Sequence, residues 1–218
     1  MTTETDQEHL DEINDKYWRL AKYSGMPLVT ADKLTLMQFL PGKGTQKAYN
    51  AALNFVANPQ DRPSPREHHF LTFVGEPGRG KTHLALGIGW QWLGNKMRLV
   101  KYWQVGELLD AMRAEYDSTP QDSYSNATPG AFEQAKKVSL LILDDLGVEK
   151  STEWAVDKLD TLINHRWLEE LPTVFTTNLA PGQLQPRLRS RIKEGVTVTL
   201  DGIDYREYKA KMRREYGS

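Results

Sequence analysis

Gly75-Glu76-Pro77-Gly78-Arg79-Gly80-Lys81-Thr82 spells G-x-x-x-x-G-K-T, a spacing that cradles phosphate. The glycines let the backbone curl and turn several N–H groups inward, and a helix opening at the lysine adds the positive end of its dipole. Lys81 offers a point charge to the β- and γ-phosphates, Thr82 offers a hydroxyl to Mg²⁺, and His83 closes the segment. Phe70-Leu71-Thr72-Phe73-Val74 runs straight into the loop and an apolar helical pattern follows it, so the motif stands in the strand–loop–helix context it needs. ATP with Mg²⁺ is the expected ligand.

Leu140-Leu141-Ile142-Leu143 ends on Asp144-Asp145. A buried strand that terminates in acids fits the C-terminal edge of a parallel sheet, where ligands bind. Asp144 is the candidate to hold Mg²⁺, directly or through water, and Asp145 to polarise an attacking water. Thr173-Val174-Phe175-Thr176-Thr177 finishes on Asn178, which either bonds the γ-phosphate or its attacking water, or caps a turn. The spacing leaves both open. Arg187, Arg189 and Arg191 alternate, so they cannot share one helix face; one of them reaches a neighbouring subunit's phosphate, or all belong to a solvated basic helix end.

These groups need a frame, and the chain alternates apolar strands with helices. Strands are expected at Phe70–Val74, Arg98–Trp103, Val138–Leu143, Thr173–Thr177 and Gly195–Leu200. Helices are expected at Lys81–Leu93, Val105–Tyr116, Thr152–Glu170, near Gly182–Ile192 and from Ile203, with a short one after a polar loop that runs through Thr128. This pattern predicts an α/β fold with a parallel sheet of five strands between helices.

Ahead of it, Leu10, Ile13, Tyr17, Leu20 and Ala21 recur at helical spacing, which predicts an amphipathic helix near 7–23. Six acids and no Lys or Arg fall in the first fifteen residues, suiting the positive end of that helix. Its stripe either packs on the main domain or docks a partner protein. A second helical pattern spans Thr45 to Val56, and the polar, proline-rich 58–65 reads as a linker or exposed loop. Residues 1–40 thus read as an N-terminal helical extension with a possible docking role, and 41–218 as the catalytic domain.

Composition narrows the classes further. At 218 residues with 39% hydrophobic and 26% charged, the chain suits one large domain with a buried core. The absence of cysteine excludes disulfides, cysteine zinc sites, iron–sulfur clusters and a thiol nucleophile. With 28 basic against 29 acidic residues, any DNA surface must be a local patch. No apolar run approaches the roughly 18 residues of a membrane span, so no membrane role and a cytoplasmic location are expected.

Candidate basic groups for such a patch are Lys96, Arg98, Lys101, Lys136, Lys137 and Lys150, which would bind phosphates without reading sequence. Tyr102, Trp103 and Trp154 either stack on bases or serve as core and interface.

Taken together, Gly75–His83 (GEPGRGKTH), Leu140–Gly147 (LLILDDLG), Thr152–Trp154 with Asn164–Trp167, Pro172–Asn178 (PTVFTTN), Arg187–Ile192 (RLRSRI) and Asp204–Arg206 (DYR) resemble the AAA+ ATPases. The likeness is to the bacterial helicase-loader and transposition-helper branch, the DnaC/DnaI and IstB types, over about residues 40–206. It implies that Lys81 and Thr82 are the Walker A pair, Asp144 and Asp145 the Walker B pair, and Asn178 the sensor-1 residue. It matches Arg191 to an arginine finger acting in trans, Arg187 to the second arginine of that box, and Arg166 to a recurrent arginine that faces a neighbour or makes a surface salt bridge. Asp145 stands where many AAA+ motors carry Glu, which fits a slow switch better than a fast motor. About 18 residues follow Leu200, so the helical lid is expected to be reduced or absent, with Arg206 a weak stand-in for its sensor arginine.

The function implied is an ATP-dependent loader of a replicative DNA helicase. It would self-associate in the ATP state on single-stranded DNA and be switched by Mg²⁺-dependent hydrolysis, slow and stimulated by DNA or partner. The alternatives are an IstB-like helper of a transposase that binds duplex DNA and, from a different class, a small-molecule P-loop kinase. The kinase would need an acceptor pocket and an arginine-bearing lid.

Overall fold

The computed structural model describes residues 4–57, 69–117, 129–147, 152–205 and 214. Seven helices are present among them: α1 (Glu4–Tyr23), α2 (Gln46–Ala57), α3 (Lys81–Lys96), α4 (Val105–Asp117), α5 (Ala131–Lys137), α6 (Glu153–Leu168) and α7 (Pro186–Lys193). Five strands, β1 (Phe70–Val74), β2 (Val100–Gln104), β3 (Leu140–Asp144), β4 (Thr173–Thr177) and β5 (Val196–Thr199), form one sheet in the order β2-β3-β4-β1-β5. Every strand pair is parallel, as the alternating pattern predicts.

The side-chain alternation of the strands builds two cores, one on each face. Leu71, Phe73, Val100, Tyr102, Leu140, Ile142 and Val174 point to one face and pack with α2, α3 and the end of α1. Phe70, Leu141, Leu143 and Phe175 point to the other, against α4, α5, α6 and α7. β1, β3 and β4 are buried throughout, which is why they carry apolar residues and threonines with no polar–apolar alternation, apart from Asp144 at the end of β3.

Element ends differ from the sequence expectation where tertiary contacts decide them. β2 starts at Val100 and β3 at Leu140, two residues later than the apolar runs begin, and β3 extends onto Asp144 itself. The helix expected near Gly182–Ile192 is broken into a 3-10 turn at Pro181–Gln183 and α7, with Pro186 in the first turn of α7, where its missing N–H costs nothing. The expected linker at 58–65, the polar loop through Thr128, Lys150 and Arg206 lie outside the described residues, as does most of the helix expected from Ile203.

Ala21, Met26, Leu36 and Phe39 belong to the same core cluster as α2 and α3, so the chain between α1 and α2 is packed into the sheet's face. Small residues on α3 permit this. A side chain at Gly87 would meet Leu36 at 2.8 Å, and one at Gly89 would meet Met26 and Ile142 at 2.6 and 2.8 Å.

Arg166 is the largest fully buried side chain among the described residues, and neither of its expected roles fits. Its hydrogen-bond partners there include no acid. Its guanidinium donates to the carbonyls of Ala135, Lys136, Val138 and Pro172 at 2.7–3.2 Å and to Thr173 Oγ1 at 2.8 Å. Burial lowers its pKa, while the planar fork satisfies four carbonyls at once and clamps α5, α6 and the entry to β4 together.

Candidate functional site

The strand order sets the site. β4 lies between β1 and β3, so the loop after β1, the acids ending β3 and the asparagine after β4 emerge side by side at the C-terminal edge of the sheet. The sequence predicts these groups singly; the insertion of β4 is what brings them together.

The loop from Gly75 to Gly80 turns through left-handed backbone at Gly78 (φ 79°) and Gly80 (φ 93°), where L side chains are strained. α3 then begins with no side-chain cap on its first turn, leaving backbone N–H groups for an anion. Lys81 is buried and its ammonium donates to the carbonyls of Gly75 and Glu76 at 2.8 and 2.9 Å, holding it against the loop.

Asp144 is 2% exposed, and its carboxylate is ringed by hydroxyls. Thr82 Oγ1 lies 3.1 Å from both of its oxygens, Tyr102 donates to Oδ2 at 2.7 Å, and Thr176 donates to Oδ1. Burial, followed by the neighbouring Asp144 carboxylate, raises the Tyr102 pKa far above its usual value, so this phenol is a fixed donor. A buried carboxylate beside a hydroxyl is a hard-oxygen pair that suits Mg²⁺. Among the described residues no cluster of three or more His, Cys, Asp or Glu could cage a metal. The pair therefore fits a cation shared with nucleotide phosphates, with Thr82 and Asp144 as the residues that would hold it.

Asp145 adopts φ 58°, a left-handed conformation that Asp tolerates better than most residues, and its N–H donates to Thr176 Oγ1 at 2.9 Å. Thr176 thus fixes both acids. At the end of β4 the turn is capped by Thr177, whose Oγ1 accepts from Leu179 N at 3.1 Å, so Asn178 does not cap it. The Asn178 Oδ1 is buried with no hydrogen-bond partner. Such an acceptor beside the phosphate loop is open to a hydrogen bond from a ligand or its water.

Against the loop's other side lies a cleft of about 390 Å³, formed by Phe39, Leu40, Thr45, His83, Ile203 and Tyr205 among others. Its volume and apolar walls suit a nucleobase and sugar. Phe39 stacks on Tyr49 and meets His83 edge-on, while His83 Nε2 lies 2.9 Å from the Thr35 carbonyl oxygen. Residues 200–205 strap the loop: Leu200 N donates to Val74 O, Tyr205 N to Gly78 O, and the Arg79 guanidinium to Gly202 O. The Asp204 carboxylate lies so close to Gly78 that a Cβ there would be 2.3 Å from it.

Among the residues considered for a DNA surface, Tyr102 and Trp103 take the core alternative and Lys101 is withdrawn from the candidate patch. Tyr102 is no stacking platform, being buried on Asp144. Lys101 is 8% exposed with its ammonium 3.8 Å over the Tyr23 ring, so it lines no channel. Lys96 sits over Trp92, Lys136 and Lys137 pair with Glu133, and Trp103 packs against the second core. Trp154 remains half-exposed, with the Arg113 guanidinium 4.8 Å from its ring centre.

The three arginines of α7 do serve different partners. Arg187 approaches Asp160 at 3.7 Å, and Arg189 lines a cavity with Thr72 and Thr197. Arg191 bonds Asn164 and Glu194, both at 3.1 Å, and stacks over Trp167 at 4.0 Å. None of Arg191's partners belongs to the phosphate loop or the acid pair.

Sequence reasoning missed Tyr102, Thr176 and the cleft walls Phe39, Leu40, Ile203 and Tyr205 as site residues. For Tyr102 and Thr176 the signal was a hydroxyl near the end of a strand that borders β3, usable only once the strand order was known.

A phosphate loop, a hydroxyl-ringed acid pair and a polar strand end between them, on a five-stranded parallel sheet, define an AAA+ ATPase domain. The chain belongs to the family of the bacterial DnaA ATPase domain, whose profile matches residues 31–199. It is 27% identical over 224 aligned positions to the chromosomal replication initiator DnaA of Lactiplantibacillus plantarum, a match covering 94% of this chain and 46% of that protein. The chain therefore spans about half the length of this curated relative. The structure of DnaI is similar at 25% identity and a TM-score of 0.65, covering 84% of this chain and 95% of that one. The DnaC helicase loader shares the fold at 23% identity and TM-score 0.65, covering 78% and 98%. No helix among the described residues is long and apolar enough to cross a membrane.

Proposed function

We propose that this domain is an ATP-driven loader of a replicative helicase that assembles on single-stranded DNA, with nucleotide held at the edge of one subunit and completed by Arg191 of the next. The observation that carries this is Arg191 itself, a half-buried arginine whose partners lie on α6 and just past the end of α7, away from its own phosphate loop. The likeness to the structure of DnaI supports the loader reading.

In hydrolysis, water attacks the γ-phosphorus in line with the bridging oxygen, whose bond to that phosphorus breaks as ADP leaves and inorganic phosphate forms. Thr82 and Asp144 would hold Mg²⁺, which would neutralise charge on the phosphates. Lys81 draws charge from the β- and γ-oxygens, Asp145 polarises the water, and Asn178 Oδ1 accepts from that water. Loss of the γ-phosphate removes the contact that Arg191 makes across the interface, so the population shifts from assembled to separate subunits. The half of α1 that carries Leu10 and Ile13, which are 51% and 42% exposed, offers an apolar stripe among acids to a basic, apolar groove on the helicase.

Arg191→Ala should leave ATP-analogue affinity in place and lower turnover at least ~1000-fold, as loss of a transferring-charge arginine does. A mixture of Arg191→Ala and Lys81→Ala chains tests the trans geometry. Each variant alone is inactive, whereas mixed interfaces pair an intact loop with an intact arginine and recover turnover. Arg191→Ala turnover equal to wild type, or a mixture as dead as its parts, would overturn the assignment.

A further inference from the structure

Tyr102 is joined to two parts of the molecule at once. Its hydroxyl donates to Asp144 Oδ2 at 2.7 Å, and its backbone N–H donates to the Ser24 carbonyl at 2.8 Å. Ser24 and Gly25 form the turn that leaves α1, and the whole turn is fitted to β2. Gly25 has φ 76°, and a Cβ there would sit 2.9 Å from the Tyr102 carbonyl oxygen. Ser24 Oγ donates to Ala21 O at 2.6 Å and accepts from Met26 N at 3.0 Å, locking the helix end. One residue away, Lys101 lies under the Tyr23 ring at 3.8 Å, almost out of solvent. Met26 then packs where Gly89 of α3 and Ile142 of β3 leave room. The root of α1 is thereby fastened to a strand residue whose side chain holds the cation-binding carboxylate.

We propose that Tyr102 is a positioning residue that orients Asp144 for the cation and ties that carboxylate to the root of α1, so that cation and nucleotide at the phosphate loop reset the N-terminal helix. The chemistry is that of an outer-shell partner. A ligating carboxylate has two oxygens, and a donor fixed on one of them aims the other, so removing that donor weakens metal binding without removing a ligand. Thr82 Oγ1 shares its approach equally between the two Asp144 oxygens, and only Tyr102 and Thr176 assign each oxygen a fixed donor. When a cation draws on the carboxylate, the Tyr102 hydroxyl follows it, and the strain passes along a bonded path of two residues to Ser24. The proposal rests on the reading of Thr82 and Asp144 as the cation site, and it needs neither DNA nor a helicase.

The test uses the full chain, a non-hydrolysable ATP analogue and a Mg²⁺ titration, with amide hydrogen exchange as the second readout. In Tyr102→Phe, which keeps the buried ring, half-saturation by Mg²⁺ should require about tenfold more cation, in line with the loss of an outer-shell donor. In the wild type, adding Mg²⁺ to the analogue-bound protein should change exchange at residues 20–26 about threefold or more, and in Tyr102→Phe that change should vanish. Gly25→Ala separates the two halves of the proposal. It pushes the turn off β2, so it should keep the wild-type Mg²⁺ midpoint and lose the response at 20–26. A Tyr102→Phe midpoint within twofold of wild type, or a Tyr102→Phe response at 20–26 that survives intact, overturns the proposal. Failure of the wild type to bind the analogue at all would instead remove the nucleotide-site reading beneath it.

Discussion

Replacing Lys81 with alanine should weaken binding of an ATP analogue about 100-fold or more, a loss of about 3 kcal/mol in interaction with the phosphates. The lysine is 5% exposed and is held by the Gly75 and Glu76 carbonyls with its ammonium inside the curl of the loop. A phosphate entering the loop therefore meets a charge already dehydrated and placed, and a charge in that setting acts more strongly than one in water. Isothermal titration with the analogue reads the effect. An affinity within threefold of wild type would mean that the phosphates lie elsewhere. Circular dichroism at matched concentration separates loss of binding from loss of fold, since the ammonium's two carbonyl partners are at the loop surface and not in either core.

Arg166→Leu should cost about 4 kcal/mol or more of folding stability, a large share of the roughly 5–15 kcal/mol typical of a domain. Leucine fills part of the volume but leaves the carbonyls of Ala135, Lys136, Val138 and Pro172 and the Thr173 hydroxyl without their donor. Each buried acceptor left unpaired costs about 1–3 kcal/mol. Because this residue is fully buried and remote from Lys81 and Asp144 in the chain of contacts, the loss should appear in the urea midpoint and not in the nucleotide affinity of the remaining folded protein. Arg166→Lys should recover only part of it, as an ammonium cannot span acceptors on α5 and β4 from one centre. An Arg166→Leu midpoint equal to wild type would show that the clamp contributes nothing.

How far such features can be read in advance depends on how local their causes are. The phosphate loop is legible because strand, glycines, lysine and helix are contiguous, and the requirement of each is met within thirteen residues from Phe70 to Thr82. β1, β3 and β4 are legible because burial on both faces leaves apolar residues and threonines in them, with Asp144 alone at the end of β3. Arg166 was not. A guanidinium on a helix reads as a surface group until one knows that three carbonyls of the α5 turn converge on it. The choice between the two readings of Tyr102, and the withdrawal of Lys101 from solvent, turn on the end of α1, which packs over both. The walls of the cleft beside the loop come largely from residues 39–45 and 202–205, segments without periodicity that only the closed fold brings together around the start of α3. Nothing in pattern or propensity links them.

The measurement that bears most directly on the proposed loader is fluorescence anisotropy of labelled single-stranded and duplex DNA at one fixed salt concentration, with ATP analogue, with ADP and without nucleotide. Tighter binding of the single strand only in the presence of the ATP analogue, lost in Arg191→Ala, is the predicted result. Nucleotide-dependent preference for the duplex, or no binding of either DNA in any nucleotide state, would contradict it.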